Sequence, residues 1–235
     1  MSIKRKSNLN TLLYLMQVGD SSFPTGAFNH SYGFETLIEE ERIHNGKTAE
    51  QYCRDWLRFS LAPTDGAIVA LSYQAMKAKD LDSLFELDEL AAAIKPTREN
   101  REASSKTGRA LLSALMDVFN PEAMQPFSEI VNQGRCIGHQ AVVFGLSAPL
   151  FELTEEEAVL AFLQTSFINL MGVIARLVPL GQVENQRVLA RAWPLLLEST
   201  EYACTIKPSM IGATTVGLDL ASMQHERLYA RICIS

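Results

Sequence analysis

Apolar positions recur at three- and four-residue intervals along almost the whole chain. Leu9, Leu12, Leu13, Met16 and Gln17 keep this spacing until Gly19 interrupts it, which predicts an opening helix. Tyr32 to Ile43 predicts a second helix, capped by Asn29 or Ser31 and closed by Asn45-Gly46. Thr48 and Gln51 have the spacing of a capping box. The helix they open turns Tyr52, Trp56, Phe59 and Leu57 inward, and Pro63 ends it. Further helices are predicted from Asp65 to Lys79, from Asp82 to Ile94, and from Pro96-Thr97 to Phe119. Gly134 and Gly138 bracket a joint before the apolar stretch His139 to Leu150. Thr154 with Glu157 forms another capping box and opens a helix striped by Leu160, Leu163, Phe167, Leu170, Ile174 and Leu177. Pro179 and Gly181 break that run, and Val183 to Ala203 follows with a kink near Pro194. Val142-Val143-Phe144 is β-prone but too short for a strand between helix formers. The pattern predicts an all-α, single-domain helical bundle of about eight to ten helices over residues 1–235, with residues 1–8 a flexible N-terminus.

Composition narrows the function. Hydrophobic residues make up 47% of the 235, enough for a sizeable core. A net charge of −6 argues against nucleic acid as a partner. Lys4, Arg5 and Lys6 give a basic start without the apolar run of a signal peptide, and the four cysteines stand far apart, so a reducing cytoplasm is expected. Ala158 to Ala175 carries no charge and approaches the length of a membrane span. Gln164, Thr165, Ser166 and Asn169 cluster at its middle, where lipid penalises polar groups most, so a core helix is expected and no membrane partner. Its polar-containing faces can also meet a second copy, which suggests a dimer.

The chemical readings are weak. Asp20, Ser22 and His30, in the stretch DSSFPTGAFNHSYGFE, supply the residue types of a serine hydrolase triad, but nothing in their spacing enforces the geometry. Gly46-Lys47-Thr48 matches the tail of a phosphate loop without its first glycine. His30, His44, His139 and His225 are scattered, with no metal-ligand spacing and no cysteine pair. The residues therefore predict no catalytic centre, no metal site and no cofactor. Shape and aromatic content make the opening stretch a fair recognition surface.

That stretch resembles the N-terminal signature of the UreF family of urease accessory proteins. Four more blocks agree in order: REASSKTGRALL from Arg101, GHQAVVFG from Gly138, RLVPLGQ from Arg176 and ASMQHERLYARICIS from Ala221. Ala27, Asn29 and Thr107 depart from the pattern, and Ile232-Cys233-Ile234 replaces a more usual Leu-Phe-basic run. The resemblance implies a dimeric, non-enzymatic adaptor. With UreD (UreH in some organisms) it would recruit the GTPase UreG, so that nickel reaches apo-urease. A hydrolase using Asp20, Ser22 and His30, or an independent nickel carrier, are the alternatives.

By resemblance, Asp20, Ser22, Phe23, Pro24, Gly26, His30, Tyr32 and Glu35 are candidates for contact with a partner; whether they face the GTPase or the dimer centre stays open. Phe28 and Tyr32 can instead close the core. Arg176, Pro179, Gly181 and Gln182 are candidates for a dimer seam or a water-filled passage; Arg176 can instead satisfy the last carbonyls of its own helix. The tail, residues 218–235, is expected to order against UreD. As a helix it would show Leu220, Met223, Leu228 and Ile232 on one side, with His225, Glu226, Tyr229 and Arg231 at its polar edges.

Overall fold

The computed structural model describes residues 9–235; the expectation for residues 1–8 lies outside them. The chain opens with α1 (Leu9–Val18), a loop, and the short α2 (Phe34–Glu39). Next come α3 (Gly46–Trp56), a π-helical segment (Leu57–Gly66) and α4 (Ala67–Ala78) in one unbroken run. They are followed by α5 (Leu81–Ala93), α6 (Arg98–Phe119), α7 (Gln125–Asn132) and α8 (Gln140–Ser147). The long α9 (Glu155–Leu177) and α10 (Gln182–Thr205) precede α11 (Val216–His225) and the tail. Eleven α-helices thus form ten rods among the described residues, with no strand, and the all-α expectation holds.

Local chemistry explains most of the boundaries. The Thr97 hydroxyl accepts from Asn100 N (3.2 Å) and starts α6; Asn120, at φ 45°, ends it. Thr154 and Glu157 close the expected capping box on α9, which buries Phe162, Phe167, Leu170, Met171 and Ile174. Burying a phenylalanine such as Phe167 is worth about 1.5–3 kcal/mol. Among the described residues this is the helix with the length and apolarity to cross a bilayer, but half of that stretch is buried in the molecule.

Four local expectations are corrected. The cap of α3 is Asn45, whose Oδ1 accepts from Lys47 N and Thr48 N; Thr48 only returns the bond, and Gln51 pairs with Asp55. The cap of α2 is Gly33, with no side-chain hydrogen bond, so neither Asn29 nor Ser31 performs that task. Pro63 does not end its helix. A proline cannot donate to the carbonyl four residues back, and here Thr214 N donates to Phe59 O instead (3.0 Å). The backbone widens to π geometry, with Ala67 N on Ala62 O. That widening rotates Phe59 outward to 45% exposure while Trp56 and Leu57 stay buried.

The stripe read on α1 faces solvent as well: Leu9, Leu12, Leu13 and Met16 are exposed, and Thr11, Tyr14 and Val18 face the core. Tyr14 stacks on Phe151 at 3.7 Å, so the aromatic residue, not the leucines, docks this helix. Elsewhere the quoted blocks cross. Gly108 of α6 lies against the Gly138–Gln140 backbone, where any Cβ would strike the Gly138 carbonyl.

Candidate functional site

The opening loop is shaped by its own backbone. The Asp20 carboxylate accepts from Ser22 N (2.7 Å), and this contact with Ser22 holds its carboxyl below the usual range. Phe23 is buried and pins the turn, Gly26 sits at φ 72°, and residues Ala27–Asn29 make one 3-10 turn. Tyr32 (φ 53°) and Gly33 (φ 86°) then reverse the chain into α2 through two successive left-handed residues. The Tyr32 ring stacks on Trp56 at 5.8 Å, while Phe28 is 40% exposed; of the two, Tyr32 closes the core.

The tail folds back onto this loop. Ile234 N donates to Asn29 O (2.9 Å), Ser31 N donates to Ser235 O (2.5 Å), and the His30 ring meets Ser235 Oγ at 2.8 Å. Beneath them lies a buried charged cluster. One ring nitrogen of His225 faces Glu35 Oε2 (2.9 Å) and the other faces Glu99 Oε2 (2.7 Å). Arg231 pairs with the second oxygen of Glu99 at 3.0 Å. Glu35 also accepts from the backbone of Ile232 (2.6 Å) and Cys233 (2.9 Å). Two buried carboxylates therefore meet two basic side chains and two amides, the pairing a buried charge requires.

Electrostatics follow this geometry. Burial alone would raise the Glu35 carboxyl, but the Ile232 amide, the His225 ring and the Cys233 amide outweigh it and hold it below its ordinary value. Burial, with the Glu35 charge beside it, pushes the Cys233 thiol up to about 12. Burial, helped by repulsion from Lys106, pushes His30 down to about 4.

Candidates from three distant parts of the chain thus converge. Glu35 from the loop meets His225 from the tail, Arg231 joins them through Glu99, and His30 bonds Ser235 at the end of the tail. Arg176, in the last turn of α9, donates to Phe28 O (2.5 Å), so its guanidinium grips the loop rather than its own helix end. Pro179, Gly181 and Gln182 are exposed in the connection to α10. Asp20, Ser22, Pro24, Met223, Glu226, Tyr229 and Arg231 are exposed, whereas Phe23, His30, Glu35 and His225 are buried. His225 is not a polar edge: it is the last residue of α11 and its ring is buried, while Glu226 turns out to Arg98 (3.0 Å). Leu228 and Ile232 accordingly lie beyond the helix and do not extend its face.

The triad does not assemble. His30 is bonded to Ser235, the Asp20 carboxylate to the amide of Ser22, and Ser22 is exposed. Among the described residues no three His, Cys, Asp or Glu side chains are placed to hold a metal. The reading from sequence missed Glu99, Arg98 and Ser235. An acidic residue in a first helical turn is ordinary, and nothing local distinguishes Glu99 from others.

Fold and site define an all-α protein whose opening loop and tail close on one another around a buried ion cluster. The family model UreF matches residues 43–192. Urease accessory protein UreF of Bacillus sp. strain TB-90 is 31% identical over 227 residues, covering 97% of this chain and all of that protein. The protein of that name from Actinobacillus pleuropneumoniae is 34% identical over 227 residues, covering 97% and 99% of the two chains. The one from Geobacillus kaustophilus is 34% identical over 224 residues, covering 95% and 98%. The chain belongs to the UreF family of urease accessory proteins and is not an enzyme.

Proposed function

We propose that this chain is the adaptor of urease maturation in the cytoplasm. In this reading it pairs with UreD (UreH), the two recruit the GTPase UreG, and the assembly delivers nickel to the urease apoprotein. Nucleotide chemistry and tight nickel ligation belong to the partners.

One observation carries the reading. The tail is pinned from within by Glu35, and outward it presents a bare apolar face. Val216, Leu220 and Met223, spaced by four and three residues on α11, are 67%, 55% and 44% exposed. Tyr229 and Ile232, in the tail beyond the helix, are exposed as well. Residues 218–235 are therefore the docking segment for UreD, held in shape before UreD arrives. The exposed loop residues Asp20, Ser22 and Pro24 lie on the same folded unit and are assigned to the GTPase side.

A second surface suits a homodimer. Leu160, Ala161 and Gln164 of α9 form an apolar groove of about 440 Å³ with Trp193 and Leu197 of α10. Trp193 and Leu197 are 60% and 55% exposed, a large apolar area for a face meeting only water.

The test is co-expression of the chain with UreD and UreG, followed by size measurement of the purified complex and a urease activation assay. The reading expects a complex containing all three proteins and nickel-dependent urease activity. A chain that purifies alone and leaves urease activation unchanged on deletion refutes it.

A further inference from the structure

The connection between α10 and α11 separates two cavities. Residues 211–215 run as irregular chain past the π-helical segment, with Gly212 N on Pro63 O (3.3 Å) and Thr214 N on Phe59 O (3.0 Å). Alternate residues face opposite ways. Ala213 and Thr215 line an inner pocket of about 70 Å³ that is partly open to solvent, whereas Gly212 and Thr214 line an outer groove of about 610 Å³.

The inner pocket is polar. Ser60, Thr64, Ser166 and the Lys95–Asp65 ion pair contribute to its wall, and Thr215 Oγ1 is buried there without a hydrogen-bond partner. Asp219, whose carboxyl burial raises, also lines it. A polar space of this size holds a few waters. The groove outside is walled by Phe59, Pro63 and Tyr202.

Ile211 packs on the core, and the middle of the separating segment is held by backbone bonds alone. Gly212, Ala213 and Thr214 are exposed, and none of them buries a large side chain. Firm anchors flank it, with Ile206 buried at one end and Ala221 and Ser222 of α11 at the other. Segments with exposed backbone bonds and few buried contacts open far more often than the core around them. We propose that residues 211–215 form a strap that opens as a unit, joins the inner pocket to the outer groove, and admits water and small polar solutes.

Trp56 lines the inner pocket and reports on access to it. The second tryptophan, Trp193, lies on the exposed face of α10, so Trp193→Phe leaves Trp56 as the sole emitter. Acrylamide quenching is compared in Trp193→Phe carrying Phe59→Cys and Thr214→Cys, reduced and oxidised, with Trp193→Phe alone as the redox control. The strap predicts quenching several-fold slower when positions 59 and 214 are cross-linked. Equal quenching in the two redox states, as expected if access runs through the tail instead, overturns it. Hydrogen exchange on the unaltered chain is the independent measurement. The amides of Gly212 and Thr214 should exchange together and long before that of Leu196 in α10; protection equal to Leu196 also overturns the proposal.

Discussion

Glu35 and His225 stand 190 residues apart in the chain and meet at 2.9 Å in the interior. The same Glu35 carboxylate holds the amides of Ile232 and Cys233, so one side chain ties α2 to both the end of α11 and the tail. Glu35→Ala leaves His225 and Arg231 with Glu99 alone and frees the amide of Ile232 and the buried amide of Cys233. Breaking a buried pair by removing one partner costs about 3–5 kcal/mol. Urea denaturation should show a loss of that order, and trypsin should cut the variant faster at Arg227 or Arg231. A variant as stable and as resistant as the parent would mean that the tail is held by something else.

The junction should also loosen in acid. His30 is neutral in the folded chain because burial, with Lys106 nearby, holds it at about 4, against 6.5 when unfolded. The unfolded chain therefore binds more protons between these values. The stabilisation is complete above pH 6.5 and is lost as pH falls towards 4, reaching about 3 kcal/mol at roughly 1.4 kcal/mol per pH unit. Glu35, also held low, acts in the same direction in more acidic solution, below its unfolded value of about 4.3. His30→Gln keeps a polar partner for Ser235 and removes the titration. Its urea midpoint should fall less than the parent's between pH 6.5 and 4.5; parallel declines would remove His30 from the explanation.

Much of this architecture was legible in the sequence, and the failures have physical causes. Thr97, Thr154 and Asn120 mark helix ends that form through local bonds, so local pattern suffices. Pro63 misleads because its missing bond is restored by Thr214, about 150 residues later, which no local window contains. The leucines of α1 keep helical spacing yet face outward, since periodicity identifies an apolar face but not what covers it. At the junction, loop and tail residues were each singled out. Their union was not, because Glu35, Glu99, His225 and Arg231 come from three distant segments.

Gly33 is a second contact of the same assembly, where α2 begins against α11. At φ 86° it takes a conformation costing other residues about 1–2 kcal/mol, and a Cβ there would lie 2.7 Å from Ser222 N and 2.9 Å from Leu218 O. Gly33→Ala must therefore push α11 away from α2. Each kcal/mol lowers the melting temperature of a chain this long by roughly 2–4 °C, so a fall of about 4 °C or more is expected. An unchanged melting curve would show that α11 does not pack on Gly33 in solution.

The groove between α9 and α10 is the proposed homodimer seam. Trp193→Asp with Leu197→Asp places two charges on side chains that are 60% and 55% exposed in one chain, so folding should be nearly unaffected. Light scattering should find a dimer for the parent and a monomer for the variant, with equal helical circular dichroism. A dimeric variant would move the seam to another face.

Capture of UreD should depend on the outer face of α11 and not merely on the presence of the tail. Leu220 and Met223 are 55% and 44% exposed, while Ala221, Ser222 and His225 on the opposite side are buried. Leu220→Asp with Met223→Asp changes what a partner meets without touching Glu35, Glu99 or His225. This double variant should keep the parent's urea midpoint, its trypsin resistance and its dimer, yet lose UreD in a pull-down. Glu35→Ala gives the converse profile, with lower stability and a protease-sensitive tail whose apolar face is chemically intact. If UreD binds the Leu220/Met223 variant as well as it binds the parent, the docking surface lies elsewhere. If it binds the Glu35→Ala chain fully, UreD itself orders the tail and the internal clamp adds nothing to recognition.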